Sequence, residues 1–533
     1  MASLKTMSVA ALKAALHDGK EIALLDAREE VPFDARHLLM ASCLPLGRIE
    51  VAAGELVPRR SARVVWCDDG NGLAHEAARR MLALAYTDVS VLDGGVSAWE
   101  DAGYPVYSGV HVPSKAFAEV VEHETSTPWI DAAELKRLIE ANADICILDT
   151  RSYAEYHSNS IPGAISVPGA EIVYRFKDIV PSEDTLVVVN CGGRTRSIVG
   201  AQALINGGVP NNVVSLKNGT QDWHLYGYEV LKGATRTAPE VTAEGLASAL
   251  TSAQRVAELC QIKTIDKATL ERLRSKADTR TLYLLDVRTV EEYEAGHVDG
   301  VKHIAGGQLI QETDRHMAVW GARVVLLDDN GVRATMTASW LQQMGWDVVI
   351  IKNEDAGGAS ATGSFKPRIL ALDNTCIKQI EAAELKALLD NKAATVVDLN
   401  WSQGYYEGHI PGAWYAIRST LDQDLANVPA SDCLVFTSPD GVLAAVAAAD
   451  RSAIDESVMA LAGGTQAWID AGLELEAGPR QMASEAIDIR LKAREQADDI
   501  EAAMREYLAW EIKLVEDMAT DEDHRFKVAV PDK

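Results

Sequence analysis

The chain has 533 residues, of which 47% are hydrophobic, and its formal net charge at pH 7 is −27. This length is several times that of one typical hydrophobic core, so we expect three or four domains. A polyanion such as nucleic acid would be repelled by this charge, and no signal-peptide core or membrane-length apolar run occurs. We therefore expect a cytoplasmic protein that binds neither nucleic acid nor membrane.

The seven cysteines are widely spaced and form no CxxC pair. Their odd number and their spacing argue against a disulfide framework and against a zinc site. We therefore expect no metal and no cofactor. A cysteine with a function would have to act alone.

A predicted strand that ends in aspartate recurs four times along the chain, in IALLDAR, ICILDTR, LYLLDVR and TVVDLNW. A second predicted strand follows each one, in ARVVWC, LVVVNC, ARVVLLD and CLVFT. The last residue of the second strand lies 41, 42, 42 and 39 positions after the aspartate. This repetition predicts four copies of one domain.

Each copy alternates strands with helical stretches such as AAELKRLIE and AAELKALLD. That alternation is typical of an α/β fold, with a small parallel sheet flanked by helices. We place the four domains at residues 1–110, 127–235, 262–357 and 376–478. A C-terminal helical extension at 479–533 follows, and its residues Ile500, Met504, Tyr507, Leu508 and Val515 fall near one face. This face is expected to dock on the domains or to pair with another subunit, which would make a homo-oligomer.

The strand-ending aspartates are Asp26, Asp149, Asp286 and Asp398, and three of them are followed by an arginine, at Arg28, Arg151 and Arg288. Their position favours structural buried pairs over catalytic groups. His297 and His409 belong to a repeated Gly-His motif and are expected to fix loops. Trp99, Trp223 and Trp468 share one position in their repeats, which is typical of core residues.

The segment LVVVNCGGRTRSIVGAQAL, at 186–204, places Cys191 between a strand and a helix. Ligands bind at this end of parallel sheets. Gly192 and Gly193 permit a tight loop whose amides point inward, and a thiol at a helix N-terminus has a lowered pKa. Arg194 and Arg196 would neutralise an anionic substrate, and Thr195 and Ser197 would add hydroxyl donors.

The other three copies lack this combination. Cys67 is a possible second thiol, but Asp68 and Asp69 follow it and no arginine is near, so a non-catalytic remnant is favoured. Asp328 occupies the cysteine position of the third copy and Thr437 that of the fourth. Neither side chain can carry sulfur as a persulfide, so we expect both domains to be inactive.

These motifs resemble the rhodanese family of sulfurtransferases, whose domains combine D-x-R-x-x-x-E-[FY]-x-x-G-H-I-x-G-A with a later strand, cysteine, loop and helix. The resemblance extends to about Gly478 and is nearest to bacterial proteins with four fused domains. It implies that Cys191 takes a sulfane sulfur from thiosulfate as a persulfide and passes it to a thiol or cyanide acceptor.

Several alternatives remain open at this point. One is a preference for 3-mercaptopyruvate as donor, and another is a non-catalytic scaffold of four rhodanese folds. A thiol-based phosphatase is less favoured, because Arg196 lies five residues after Cys191, whereas the phosphatase loop C-x5-R places its arginine at the sixth.

Overall fold

A computed structural model describes residues 4–370, 372, 377–452, 455, 457–492, 495 and 499–531. The architecture is α/β, with four parallel sheets that are flanked by helices. One compact unit holds the first and fourth domains, and a second unit holds the second and third domains with the C-terminal helix. Cys376, the predicted start of the fourth domain, lies outside the described residues.

The first domain has a parallel sheet whose strands, in spatial order, are Lys5–Met7, Asp88–Leu92, Arg63–Cys67, Ile22–Asp26 and Ser42–Cys43. Its α-helices are Val9–His17, Glu30–Ala35, Ile49–Leu56, Leu73–Ala83 and Gly95–Asp101. All five residues of the strand Ile22–Asp26 are buried, as expected for a strand with helices on both faces.

The second domain repeats this order with the strands Trp129–Ile130, Val213–Leu216, Leu186–Asn190, Ile145–Asp149 and Ile165–Ser166. Its helices are Ala132–Glu140, Tyr153–Ser158, Glu171–Ile179, Thr195–Gly207 and Gly219–Leu225. Two further helices flank it in the chain, at Val112–Thr125 and Ala243–Cys260. The long helix Thr195–Gly207 begins directly after the loop that contains Cys191.

The third domain has the strand order Lys302–His303, Leu282–Asp286, Arg323–Asp328 and Asp347–Lys352, and the short strand Val319–Trp320 of the same segment is not part of this sheet. Its helices are Lys267–Arg274, Val290–Ala295, Gly306–Gln311, Thr313–His316 and Val332–Gln343.

The fourth domain has the strand order Gln379–Ile380, Val458–Leu461, Cys433–Thr437, Ala394–Asp398 and Trp414–Tyr415. Its α-helices are Ala382–Asp390, Ser402–Glu407, Leu421–Asp424, Val442–Ser452 and Gly464–Asp470, with 3-10 turns at Arg418–Thr420 and Leu425–Asn427.

The repeated polar residues have the structural roles that their positions predict. Arg151 and Asp149 are both fully buried and form an ion pair at 2.7 Å, and Arg28 and Arg288 pair with their aspartates in the same way. The Nδ1 atoms of His297 and His409 hydrogen-bond to the carbonyls of Tyr293 and Tyr405, at 2.9 and 2.7 Å. These residues therefore fix loops at the strand ends.

The repeated tryptophans are core residues, as predicted. Trp99, Trp223 and Trp468 are at most 2% exposed, and each indole N–H donates to the backbone carbonyl six residues later, at 2.9 to 3.0 Å. They anchor the helix that closes each of these three domains.

Candidate active site

Cys191 lies at the carboxyl end of the central strand Leu186–Asn190, where the chain turns into the helix Thr195–Gly207. Its side chain is almost completely buried, at 2% exposure. The thiol donates to Ser197 Oγ at 3.5 Å, and the Ser197 backbone N–H also faces the sulfur. Ser197 in turn donates to the carbonyl of Arg194 at 2.8 Å, which fixes the loop around the sulfur.

The helix Gly219–Leu225 holds the loop from its other side. Backbone N–H groups of Thr220 and Gln221 donate to the carbonyls of Cys191 and Gly192, at 2.9 and 3.2 Å. A Cβ atom at Gly219 would lie 2.2 Å from the carbonyl oxygen of Cys191, and its φ is +56°. Glycine at 219 is therefore required for this close approach.

The amides of the cysteine loop are open. Within the described residues, no acceptor is found for the backbone N–H groups of residues 192–195. Backbone amides that converge in this way form a concavity that binds anions. The loop therefore offers hydrogen-bond donors beside a thiol.

Arg194 is already neutralised inside the protein. Its Nε donates to Glu119 at 2.7 Å, and its other guanidinium nitrogens contact Glu122 and Asn218. Both glutamates come from the helix Val112–Thr125. Burial raises the pKa of Glu119 to about 7, and the charge and hydrogen bond of Arg194 oppose this only in part.

Arg196 forms a second ion pair, with Glu155 at 2.7 Å. Burial favours the neutral form of Glu155, but the charge and hydrogen bonds of Arg196 outweigh it and hold the pKa of Glu155 well below its usual range. Glu155 also completes a capping box with Ser152 at the start of the helix Tyr153–Ser158. Both loop arginines therefore already have carboxylate partners.

The pKa of Cys191 is raised above its ordinary value, which differs from the lowered value expected from sequence. Burial is the largest cause, and the charge of Arg196 and the hydrogen bonds of Ser197 oppose it only in part. The expectation considered the helix N-terminus but not the nearly complete burial of the sulfur.

Sequence reasoning missed two residues of this site, Tyr507 and Glu511, on the helix Ile500–Thr520. Thr195 Oγ1 donates to Glu511 Oε1 at 3.3 Å, and Tyr507 Oη donates to the same oxygen at 2.7 Å. The helix packs on the helix Val112–Thr125, so its apolar face docks within its own chain. A buried carboxylate within an otherwise apolar helix face was the available signal.

Strand register shows which residues of the other domains correspond to Cys191. The strand-ending aspartates Asp26, Asp149, Asp286 and Asp398 are paired with Cys67, Asn190, Leu327 and Thr437 respectively. The residue after each partner therefore occupies the Cys191 position. That residue is Asp68 in the first domain, Asp328 in the third and Ser438 in the fourth.

Two sequence assignments are corrected by this register. Thr437 lies one residue before the cysteine position, because the connection between the two strands is two residues shorter in the fourth domain. Cys67 corresponds to Asn190 rather than to Cys191. Its thiol is fully buried and faces Asp26 Oδ2 at 3.7 Å, and burial together with the charge of Asp26 raises its pKa well above the ordinary value.

Each non-cysteine side chain at this position fills its own loop. Asp68 accepts from the N–H groups of Gly70 and Ala74 at 2.8 and 2.9 Å. Asp328 accepts from those of Gly331 and Ala334 at 2.6 and 3.1 Å. Ser438 Oγ accepts from the N–H of Ala444 at 3.3 Å. A carboxylate or hydroxyl thus occupies the space of the sulfur.

The third domain also repeats the arginine of the cysteine loop. Arg333 lies five residues after Asp328, as Arg196 does after Cys191, and it pairs with Glu292 at 2.5 Å. Because a loop without cysteine keeps this pair, the Arg196–Glu155 pair contributes to the structure of the loop as well.

The described residues contain no group of three or more His, Cys, Asp or Glu side chains that could hold a metal ion. Among the described helices, none combines the length and apolar character needed to cross a membrane. The described cysteines are all free thiols.

The family model "Rhodanese-like domain" matches four segments, at residues 8–102, 131–226, 267–354 and 381–471, which together make up more than half of the chain. A crystal structure of thiosulfate sulfurtransferase from Pseudomonas aeruginosa is 42% identical, with a TM-score of 0.93. The match covers 99% of this chain and 100% of that chain.

Two curated relatives match over single-domain lengths. One is an HTH-type transcriptional regulator of Mycobacterium tuberculosis, 32% identical over 20% of this chain and 45% of its own length. The other, named as a sulfur carrier protein of Bacillus subtilis, is 26% identical over 19% of this chain and 54% of its own length. The chain spans about half the length of these relatives.

Proposed function

The chain belongs to the rhodanese family, and on that premise we propose that it is a sulfurtransferase that carries sulfane sulfur as a persulfide on Cys191. The observation that carries this proposal is the open loop of the second domain. There a thiol stands beside backbone amides that have no acceptor in the described structure, whereas carboxylates fill the loops of the first and third domains.

The proposed donor is thiosulfate, and the acceptor is a thiol or cyanide. The 42% identity to a thiosulfate sulfurtransferase over nearly the whole chain supports this donor. The Cys191 thiolate attacks the outer sulfur of thiosulfate, a new S–S bond forms, and the S–S bond of the donor breaks as sulfite leaves with the electron pair. The loop amides would hold the persulfide anion until the acceptor attacks its outer sulfur.

The roles proposed for the loop residues follow from this chemistry. Gly192 and Gly193 permit the tight loop, and residues 192–195 supply backbone N–H groups. Ser197 and Thr195 supply hydroxyls. Arg196 contributes positive charge, although Glu155 shares it, and Arg194 fixes the loop through Glu119.

Intact-protein mass after brief incubation with thiosulfate tests this proposal. We expect a gain of one sulfur, about 32 Da, in the wild type and in Cys67→Ser, and no gain in Cys191→Ser. A gain that persists in Cys191→Ser would move the carrier to another cysteine. No gain in any variant, with thiosulfate or with 3-mercaptopyruvate, would favour a non-catalytic scaffold.

A further inference from the structure

The helix Ile500–Thr520 buries a carboxyl group where its apolar face would ordinarily place a leucine. The buried residues of this helix are Met504, Leu508, Glu511, Leu514 and Met518. Glu511 is 1% exposed. Burial of a polar side chain is unfavourable unless its hydrogen bonds are satisfied, so this glutamate needs an explanation.

The two carboxyl oxygens of Glu511 have different surroundings. Oε1 accepts hydrogen bonds from Tyr507 and Thr195. Oε2 is buried and has no hydrogen-bond partner in the described structure. This second oxygen lies 3.0 Å from the point that a Cβ atom of Gly193 would occupy, so it faces the cysteine loop.

Burial favours the neutral form of this carboxyl group. Burial raises the pKa of Glu511, and Lys115, Tyr507, Arg194 and Thr195 oppose that effect only in part. A proton would reside on Oε2, because Oε1 already accepts two hydroxyl donors. In the neutral form Oε2 is an O–H donor that has no acceptor in the described structure and lies beside Gly193 of the cysteine loop. A carboxylic acid kept neutral in this way can donate a hydrogen bond to an anion.

We propose that Glu511 is a substrate-binding residue of the Cys191 site, whose protonated carboxyl donates a hydrogen bond from Oε2 to the sulfonate oxygen of a thiosulfate-class donor. This inference rests on the proposed sulfur transfer. Glu511 keeps its proton while Cys191 Sγ bonds to the outer sulfur and sulfite departs. The role fits a loop whose two arginines are already paired with carboxylates, because a neutral acid adds a donor without a further charge to balance.

Two substitutions separate hydrogen bonding from packing. Glu511→Gln keeps an acceptor for Tyr507 and Thr195 and places an N–H at the position of Oε2. Glu511→Leu keeps a side chain of similar volume but removes both the acceptor for Tyr507 and Thr195 and the donor at the position of Oε2. Glu506→Gln is the matched control, because Glu506 is exposed on the same helix. The readout is the rate of sulfite release in stopped-flow experiments over a range of thiosulfate concentrations.

We expect Glu506→Gln to stay within about threefold of the wild-type kcat/KM, and Glu511→Gln to keep more activity than Glu511→Leu. Glu511→Leu should lose about 10- to 100-fold, mostly through KM, as expected for the loss of a hydrogen bond to a charged group. Equal losses in Glu511→Gln and Glu511→Leu, or no loss in Glu511→Leu, would overturn the inference.

The pH dependence is a second readout, which does not depend on the folding of the leucine variant. The groups that face Glu511 are Tyr507 on its own helix, Lys115 and Glu119 on the helix Val112–Thr125, and Cys191, Arg194 and Thr195 on the loop. Ionisation of Glu511 removes the O–H donor, so the wild-type KM for thiosulfate should rise with pH. Glu511→Gln should lack that rise, and a rise of equal size in both proteins would contradict the inference.

Different results would contradict the proposed sulfur transfer and the proposed role of Glu511. If wild-type protein gains no sulfur from any donor, the proposed function fails and the inference falls with it. If wild type and Glu511→Leu load sulfur equally well, the proposed function stands and the inference alone is wrong.

Discussion

The cysteine loop of the second domain and the aspartate loop of the third domain are built on the same plan. Each follows the central strand of a parallel sheet, and each carries an arginine five residues later that pairs with a glutamate. They differ in the group at the centre. Asp328 accepts from two N–H groups of its own loop, whereas in the Cys191 loop the N–H groups of residues 192–195 have no acceptor within the described residues. The fold alone therefore does not determine the chemistry of the loop; the proposed sulfur transfer depends on open amides beside a thiol.

The largest expected effect comes from making the second loop like the third. Cys191→Asp should lower the rate of sulfur transfer by roughly 10³-fold or more, because the covalent carrier is lost. The protein should stay folded, since the new carboxylate can accept the N–H groups that Asp328 accepts in its own loop. Sulfite release and circular dichroism check both points, and an unfolded variant would show that the two loops are not equivalent.

A smaller effect is expected from adding one methyl group to the loop. In Gly193→Ala the new Cβ would lie 3.0 Å from Glu511 Oε2 and 3.3 Å from atoms of Gln221 and Tyr507. Overpacking of this kind destabilises a fold by about 1–3 kcal/mol, and a shift of Glu511 or of the loop that relieves it should lower the rate of sulfur loading by more than about threefold.

Gly192→Ala is the matched control, because its nearest neighbours would be Arg151 Cδ and Arg196 Nη2, at 3.7 and 3.9 Å. Its loading rate should stay within about threefold of wild type. Equal rates for the two alanine variants would mean that the C-terminal helix does not restrict this loop.

The stability of the protein should depend on pH through Asp328 of the third domain. Burial raises the pKa of Asp328 to about 6, above its unfolded value of 3.8, so the native state holds the proton more tightly. The stability from this proton is present below the unfolded pKa and is lost as pH rises through about 6.

Asp328→Asn cannot undergo this loss. The free energy of unfolding of Asp328→Asn minus that of the wild type should therefore be about 2 kcal/mol higher at pH 7.5 than at pH 4.5. Urea titrations at the two pH values measure the difference, and Glu354→Gln, at an exposed position, is the control. The same difference at both pH values would contradict the prediction.

The smallest effect is expected in the fourth domain. Ser438→Ala removes the acceptor for the Ala444 N–H and should lower the free energy of unfolding by about 1 kcal/mol, without a change in sulfur loading. Thr437→Ala should also leave loading unchanged. Urea denaturation and intact mass test these outcomes, and a loss of loading in either variant would show that this domain takes part in transfer.

Much of the architecture could be predicted because its signals are local and repeated. The strands ending in Asp26, Asp149, Asp286 and Asp398 recur with nearly constant spacing, and a buried parallel strand has a distinctive apolar run. The same local pattern led us to align Cys67 with Cys191, because the sequence does not show whether a cysteine is the last residue of a strand or the first residue after it. Only strand pairing distinguishes the two positions.

The part of the candidate site that the sequence did not predict is Glu511, which lies far from Cys191 along the chain. Glu511 falls on the apolar face of its helix, but nothing in its neighbouring residues indicates that it faces the Cys191 loop. Likewise, the raised pKa of Cys191 depends on burial by the surrounding elements, including groups distant in sequence. Tertiary contacts of this kind are not encoded in any one segment.

The position of Glu511, 320 residues after Cys191, has a consequence for biosynthesis. Domains generally fold in order during synthesis, at about 5–20 residues per second, so Glu511 is added roughly 16 to 64 s after Cys191. During that interval the Cys191 loop lacks the carboxyl group that later contacts Thr195 and faces Gly193. A ribosome that stalls before residue 500 would leave the second domain without this contact.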